Sequence, residues 1–135
     1  MITFLPKIEY TTSKIVFLPH INFTEMNINF NEIKIEELPN FKGGEKFARM
    51  QFHVDENNRI MRGCLVPGAS IGLHTHETNS EIMYFLQGSG KVLCDGEYSP
   101  VTVGDVHYCP KGHEHSLINS GTEDLVFFAV VPEHK

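Results

Sequence analysis

Apolar and polar side chains alternate with a period of two along most of this chain, and helical spacing is almost absent. Ala48, Met50, Phe52 and Val54 alternate with Arg49, Gln51 and His53, the signature of a strand with one face buried. Asp55-Glu56-Asn57-Asn58 supplies turn chemistry and leads into a second run over residues 59–66, so the two segments predict a β-hairpin. Further strands are predicted at residues 28–35, 71–76, 81–86, 91–95, 98–103, 106–109, 115–118 and 125–131. Pro67-Gly68, Gly88-Ser89-Gly90, Asp95-Gly96, Gly104-Asp105, Lys111-Gly112 and Ser120-Gly121 punctuate them. Many short strands separated by such turns predict an all-β, antiparallel sandwich or barrel.

The N-terminal third is less regular. Residues 14–18 read as a strand and residues 36–44 as a loop. Residues 1–45 are therefore expected to form a strand-and-loop extension that packs on the barrel or on a partner subunit, with residues 46–135 forming the barrel itself. A strand that pairs with a second copy would cover its own edge and its apolar side chains, so a homodimer is expected.

Composition narrows the function classes. At 135 residues the chain is long enough for one core but short for separate substrate and cofactor domains. Seventeen acidic against 11 basic residues, a formal charge of −6, and no Lys/Arg cluster argue against nucleic acid as a partner. Three cysteines, Cys64, Cys94 and Cys109, form no CxxC pair and fit a reducing compartment. The first seven residues are apolar but lack a basic region, and Pro6 and Lys7 interrupt the apolar stretch, so no signal peptide is expected; no apolar run is long enough to span a bilayer. A cytoplasmic protein with a small-molecule ligand or substrate, and no membrane partner, is expected.

The chemistry concentrates between Gly68 and Asn119. One constellation comprises Gly68, His74-Thr75-His76, Glu81 and Gly88; the other comprises Gly104, Pro110, Gly112, His115 and Asn119. On a strand, His74 and His76 project from one face while Ile71, Leu73 and Thr75 point the other way. Glu81 opens the next strand after the four residues 77–80, with Met83 and Phe85 on its face as an apolar floor. His115 follows a Pro-x-Gly turn from a distant strand. Three neutral imidazoles and one carboxylate can hold a divalent transition metal, with manganese, iron, cobalt, nickel, copper and zinc all compatible, and leave positions open for substrate. His113 could compete by the same i, i+2 logic but is expected at the rim. His20, His53, His107 and His134 read as ordinary core or surface histidines.

Around the ion, Arg49, Gln51 and His53 share one strand face, and Arg62 shares another with Ile60, Cys64 and Val66. Either arginine would bind an anionic substrate if its face pointed inward. Tyr84 falls opposite Glu81 and reads as packing. Tyr108 and Cys109 adjoin the second constellation, and Glu77 and Glu114 are candidate partners of a ligand imidazole or proton carriers at the mouth. No residue is assigned a catalytic role.

These residues resemble the two motifs of the cupin superfamily at every specified position: 68–76 through Glu81 to Gly88, then Gly104 through Pro110-Lys111-Gly112 to His115 and Asn119, with residues 89–103 between them. The resemblance implies a double-stranded β-helix (jelly-roll) barrel with the ion inside, His74, His76, Glu81 and His115 as ligands, and Asn119 and the glycines as structural residues. A single motif pair implies a single-domain cupin. Small cupins are often metal-dependent dioxygenases, isomerases, decarboxylases or lyases, and some have no known activity. The expectation is a metal-dependent enzyme acting on a small organic metabolite; the alternative is a non-catalytic, metal-assisted binding or sensing module.

Overall fold

The computed structural model describes residues 26–135 throughout and, within residues 1–25, the backbone of strands β1 (Pro6–Tyr10) and β2 (Ile15–Asn22). The chain forms two compact units, Met1–Glu32 and Ile33–Lys135. In the first, β1 and β2 pair antiparallel, with Tyr10 opposite Ile15. The strand expected at residues 14–18 overlaps β2; Lys14 and the side chain of His20 lie outside the described residues.

The second unit contains β3 (Glu36–Pro39), β4 (Phe47–Val54), β5 (Asn58–Leu65), β6 (Ser70–Thr75), β7 (Glu81–Gln87), β8 (Ser89–Cys94), β9 (Glu97–Thr102), β10 (Val106–Cys109), β11 (Glu114–Ile118) and β12 (Leu125–Pro132). They form a six-stranded sheet, β10-β7-β12-β5-β4-β3, and a four-stranded sheet, β6-β11-β8-β9, antiparallel throughout. This is a double-stranded β-helix. Among the described residues no helix is long and apolar enough to cross a membrane.

One core joins the two sheets. Met50, Met61, Met83, Phe85 and Phe127 come from the six-stranded sheet; Ile71, Val92 and Leu117 come from the four-stranded one. Phe85 and Phe127 are fully buried, with ring centroids 6.5 Å apart, and each side chain contributes about 1.5–3 kcal/mol by leaving water. Gly63 pairs with Phe127 across β5 and β12, and the aromatic ring occupies the space a Cβ on Gly63 would need. The predicted hairpin is present: Asp55 Oδ1 accepts from the backbone N–H groups of Asn57 and Asn58 at 2.8 and 2.7 Å, which closes β4 onto β5.

Two expectations need correction. Residues 28–35 do not form a strand; they carry a 3₁₀ turn, Phe30–Glu32. Asn29 diverts them, because its side-chain oxygen accepts from Asn31 N at 3.0 Å and its carbonyl from Glu32 N at 3.0 Å, local bonds that compete with a ladder. Residues 36–44 are not simply a loop. Glu36–Pro39 is the edge strand β3, with Glu36 opposite Met50 and Pro39 opposite Phe47. An edge tolerates proline and charge because only one side must pair. A second 3₁₀ turn, Phe41–Gly43, follows it.

Candidate metal centre

Both sheets contribute to one cluster. His74 lies on β6, directly opposite His115 on β11, and β11 is interior to its sheet, between β6 and β8. His76 stands just beyond the end of β6. Its backbone is anchored to the second motif: His76 N donates to His113 O at 3.0 Å, and Gly112 N donates to His76 O at 2.7 Å. Gly112 makes that turn with φ 89°, a region that favours glycine. Glu81 is the first residue of β7, in the six-stranded sheet, opposite Cys109.

The four ligand atoms lie within 4.8 Å of one another. Glu81 Oε1 is 3.0 Å from His115 Nε2, 3.2 Å from His76 Nε2 and 3.9 Å from His74 Nε2, and the Nε2 atoms of His76 and His115 are 3.0 Å apart. The three imidazoles stand at near-equal angles to one another, 62–68° between ring planes, with centroids 4.7–5.0 Å apart. Ligands at ~2.1 Å meeting at right angles around one ion stand roughly 3 Å from each other, so the spacing suits a metal.

The partners of the opposite ring nitrogens explain why these atoms face inward. His74 Nδ1 donates to the Gly72 carbonyl at 2.7 Å. His76 Nδ1 donates to Asn79 Oδ1 at 2.6 Å, and the Asn79 amide is oriented because its Nδ2 donates to Glu133 Oε1 at 2.9 Å. His115 Nδ1 lies 3.0 Å from His107 Nε2. With the Nδ1 protons of His74 and His76 committed outward, their Nε2 lone pairs converge on an anionic oxygen. Converging acceptors repel unless a proton or a metal cation lies between them. Burial alone would raise the Glu81 carboxyl, but protons carried on the ring nitrogens of His115, His74 and His76 that surround it hold it well below the ordinary range. Burial opposes protonation of His76, yet its bonds to Glu81 and Asn79 raise its proton affinity overall. The group attracts positive charge, and three histidines with one carboxylate fit a divalent transition metal.

A cavity of about 260 Å³ opens onto the cluster. His74, His76 and Glu81 line it together with apolar Met50, Met61, Ile71 and Phe127, the polar loop residues Thr78 and Asn79, and the charged Lys42, Arg59 and Glu77. Ile71, expected to point away from His74, shares its side because β6 carries one extra residue between them, Ile71 pairing with Leu117 and His74 with His115. The nominated arginines are elsewhere. Arg49, Gln51 and His53 occupy the face of β4 opposite Met50. There Arg49 pairs with Glu37 at 3.3 Å and Gln51 Nε2 donates to Ile33 O at 2.7 Å. Arg62 is exposed on the face of β5 opposite Met61. The inward face of β5 carries Arg59, Met61, Gly63 and Leu65, and the blank at Gly63 disguises it in the sequence. Met83 and Phe85 share the inward face with Glu81 but are sealed in the core beyond the cavity lining. His113 is exposed and bonded to Asp95, so it sits at the surface rather than in the ligand cluster.

Other expectations resolve similarly. Tyr84, expected to pack, is instead exposed, on the face of β7 opposite Glu81. Burial pushes the Cys109 thiol up to about 12, which leaves it protonated and unreactive; all three cysteines are free. Asn119 is buried and cross-braced: Nδ2 donates to Leu65 O and Glu123 O, and Oδ1 accepts from Gly121 N. Residue-by-residue reading missed His107, Asn79, Glu133 and Arg59. For His107 a signal exists in Val106-His107-Tyr108-Cys109, whose alternation puts the histidine on the face of buried Cys109. Asn79 and Glu133 are 54 positions apart and share no sequence signal.

Comparison with known proteins agrees with this geometry. The family model for the cupin domain, Cupin_2, matches residues 61–131. An oxalate-binding protein of Thermotoga maritima is 36% identical over 114 residues, spanning 80% of this chain and 94% of the relative. The crystal structure of a predicted oxalate decarboxylase from Thermotoga maritima superposes with a TM-score of 0.76 at 35% identity, covering 80% of this chain and 99% of that one. A cupin 2 conserved barrel domain protein from Salinispora arenicola shares the fold, with a TM-score of 0.59 at 24% identity over 79% of this chain and 86% of its own.

Proposed function

The chain belongs to the cupin family, and on that premise we propose that His74, His76, Glu81 and His115 hold a divalent transition metal at which a small carboxylate, oxalate in the first instance, is bound. The observation that carries this reading is the convergence of four ligand atoms within 4.8 Å beside a cavity of about 260 Å³. The cavity falls below the ~300–1,000 Å³ typical of drug-sized ligands, so a small metabolite fits it. The name of the Thermotoga maritima relative supports oxalate.

A bound ion supplies Lewis acidity toward a ligand oxygen. The protein's own groups do the rest. Glu81 neutralises part of the ion's charge, and the outward hydrogen bonds of His74 and His76 keep their inward nitrogens available. Met50, Met61, Ile71 and Phe127 exclude water and so strengthen the remaining electrostatics. Turnover is a second reading, supported by Glu77, a non-ligand carboxylate on the cavity wall that can carry a proton.

The test is to strip the protein with a chelator, reload it separately with manganese, iron, cobalt, nickel, copper or zinc, and titrate each form with oxalate by calorimetry. We expect about one ion per chain and oxalate binding only in loaded forms; oxalate binding of equal strength in stripped protein would overturn the reading. Carbon dioxide, formate and oxygen uptake followed in the same samples separate turnover from binding.

The exposed face of β7 and β10, where Tyr84 pairs with Val106 and Ile82 with Tyr108, supports a homodimer, tested by light scattering. The free cysteines support a cytoplasmic location.

A further inference from the structure

Two cations reach the cavity from separate elements, and neither belongs to the metal motifs. Arg59 comes from the inward face of β5, in line with Met61. Lys42 comes from the 3₁₀ turn Phe41–Gly43, which rests against β6. That turn is held in place: Gly43 N donates to Asn40 O at 2.8 Å, Gly44 N to Phe41 O at 2.9 Å, and Asn40 Nδ2 to Gly44 O at 3.0 Å. Lys42 has φ 56° and ψ 25°, a left-handed conformation uncommon for a residue with a Cβ. Its carbonyl abuts β6 at Gly72, where a Cβ would collide with it.

Several other cations are engaged. Arg49 is paired with Glu37, Lys46 Nζ donates to Pro67 O at 2.7 Å, and Lys91 lies 4.6 Å over the Tyr98 ring. Among the described residues, by contrast, neither Arg59 nor Lys42 makes an ion pair; Lys42 Nζ has only the Phe41 ring beneath it, at 5.8 Å. Asp55 and Glu133 border a shallow groove that Arg59 also lines. Their carboxylates are already occupied, Asp55 by Asn57 and Asn58 N–H and Glu133 by Asn79 and Thr78.

Charge within the cavity decides what these groups can do. A divalent ion outweighs the Glu81 carboxylate by one unit, Lys42 and Arg59 add two, and Glu77 removes one. Two positive charges are left at the mouth of a partly apolar space, a surplus that favours an anionic ligand.

Resting on the carboxylate reading above, we infer that Arg59 and Lys42 form an anion clamp that selects dianionic ligands, small dicarboxylates, over monocarboxylates, the ion taking one part of the ligand's oxygens and the two cations the rest. Arg59 supplies a planar, two-pronged donor suited to a carboxylate, and Lys42 a point charge.

The probes are oxalate and malonate against acetate and formate, titrated calorimetrically into manganese-loaded protein. The variants are Arg59→Gln, Lys42→Asn, whose asparagine tolerates the left-handed backbone, and the double variant. Both positions are exposed, and metal content and thermal melting verify that each variant is folded and loaded. Arg59→Gln is expected to weaken oxalate and malonate about tenfold, a loss of about 1.4 kcal/mol, with the double variant weaker still. Acetate and formate should change by less than about twofold. Dicarboxylate affinities within about twofold of the parent in the loaded double variant overturn the clamp alone. A loaded parent protein that binds none of the four probes overturns the carboxylate reading and the clamp together.

Discussion

Asn79 Nδ2 donates to Glu133 Oε1 at 2.9 Å, joining the loop of the metal motif to the C-terminal end of the chain. The bond turns the other end of the amide toward His76 Nδ1, 2.6 Å away. A bridge between Asn79 and Glu133, with His134 N donating to Thr78 O at 3.0 Å, holds the two segments in register. The orientation of a proposed ligand thus depends on a residue 57 positions later in the chain, Glu133 following His76.

Removing that acceptor should loosen His76 without unfolding the barrel. Glu133→Ala is expected to weaken metal binding on the order of tenfold, within the range for partners of ligand imidazoles, whereas Glu133→Gln, which retains a carbonyl oxygen for Asn79, should lose less. Competition with a chromophoric chelator measures both. Equal affinity in the alanine variant and the parent would show that His76 is oriented by other contacts.

The same carboxylate makes a pH prediction. Hydrogen bonds from Asn79 and Thr78 hold Glu133 below its ordinary value of 4.5. A carboxyl whose folded pKa is depressed adds stability that is complete above the unfolded value and is lost as pH falls through the folded one. Urea denaturation between pH 6 and pH 3 should therefore show a steeper loss for the parent than for Glu133→Gln. The carboxyl carbon shift of Glu133 should titrate with a midpoint below 4.5; a midpoint at or above that value contradicts the hydrogen-bonded geometry.

His107 stacks on His115, with centroids 5.2 Å apart and 28° between the rings, and its Nε2 meets His115 Nδ1. Were His115 Nε2 to hold the ion, its Nδ1 would carry the proton and donate to His107. His107→Phe keeps a stacked ring but removes the acceptor. Metal affinity is expected to fall on the order of tenfold, and the nitrogen shifts of His115 should report a changed tautomer balance. Unchanged shifts would mean that β11 alone orients the ring.

Glu81→Gln and His76→Ala should each leave a folded protein that retains little metal, measured by elemental analysis after dialysis. Chelation of the parent should lower its melting temperature toward theirs, since an ion at 100 times its Kd stabilises by about 2.7 kcal/mol. Full metal occupancy in Glu81→Gln would remove the carboxylate from the ligand set.

Gly72→Ala addresses the wall that carries Lys42. The added Cβ meets the Lys42 carbonyl, so the turn must lift from β6, at a cost of about 1–3 kcal/mol by analogy with overpacking in cores. Denaturant titration measures the loss; stability equal to the parent would show that the turn moves without penalty.

The alternation over residues 48–54 was enough to place β4 to within a few residues, because side-chain period reports a half-buried strand, and turn residues at 55–58 and 67–68 delimited β5 and the start of β6. It failed at residues 28–35, where asparagine side chains bond locally, and at β3, whose charged edge resembles a loop. β12 shows a different limit. Leu125 to Val131 is apolar at every position, so its period is hidden, yet the structure buries alternate residues, Leu125, Phe127, Ala129 and Val131.

By itself, the sequence determined the all-β class and the residues able to supply four ligand atoms, since both follow from local period and from donor chemistry at short spacing. Tertiary structure alone decided which face of β5 turns inward, and so that Arg59 rather than Arg62 lines the cavity; on that face the Phe127 ring fills the space above Gly63, where no side chain marks the strand's period. It also decided that His107, Asn79 and Glu133 support the ligand imidazoles, because a hydrogen bond between distant strands depends on register and on sheet closure, neither of which leaves a periodic trace in the chain.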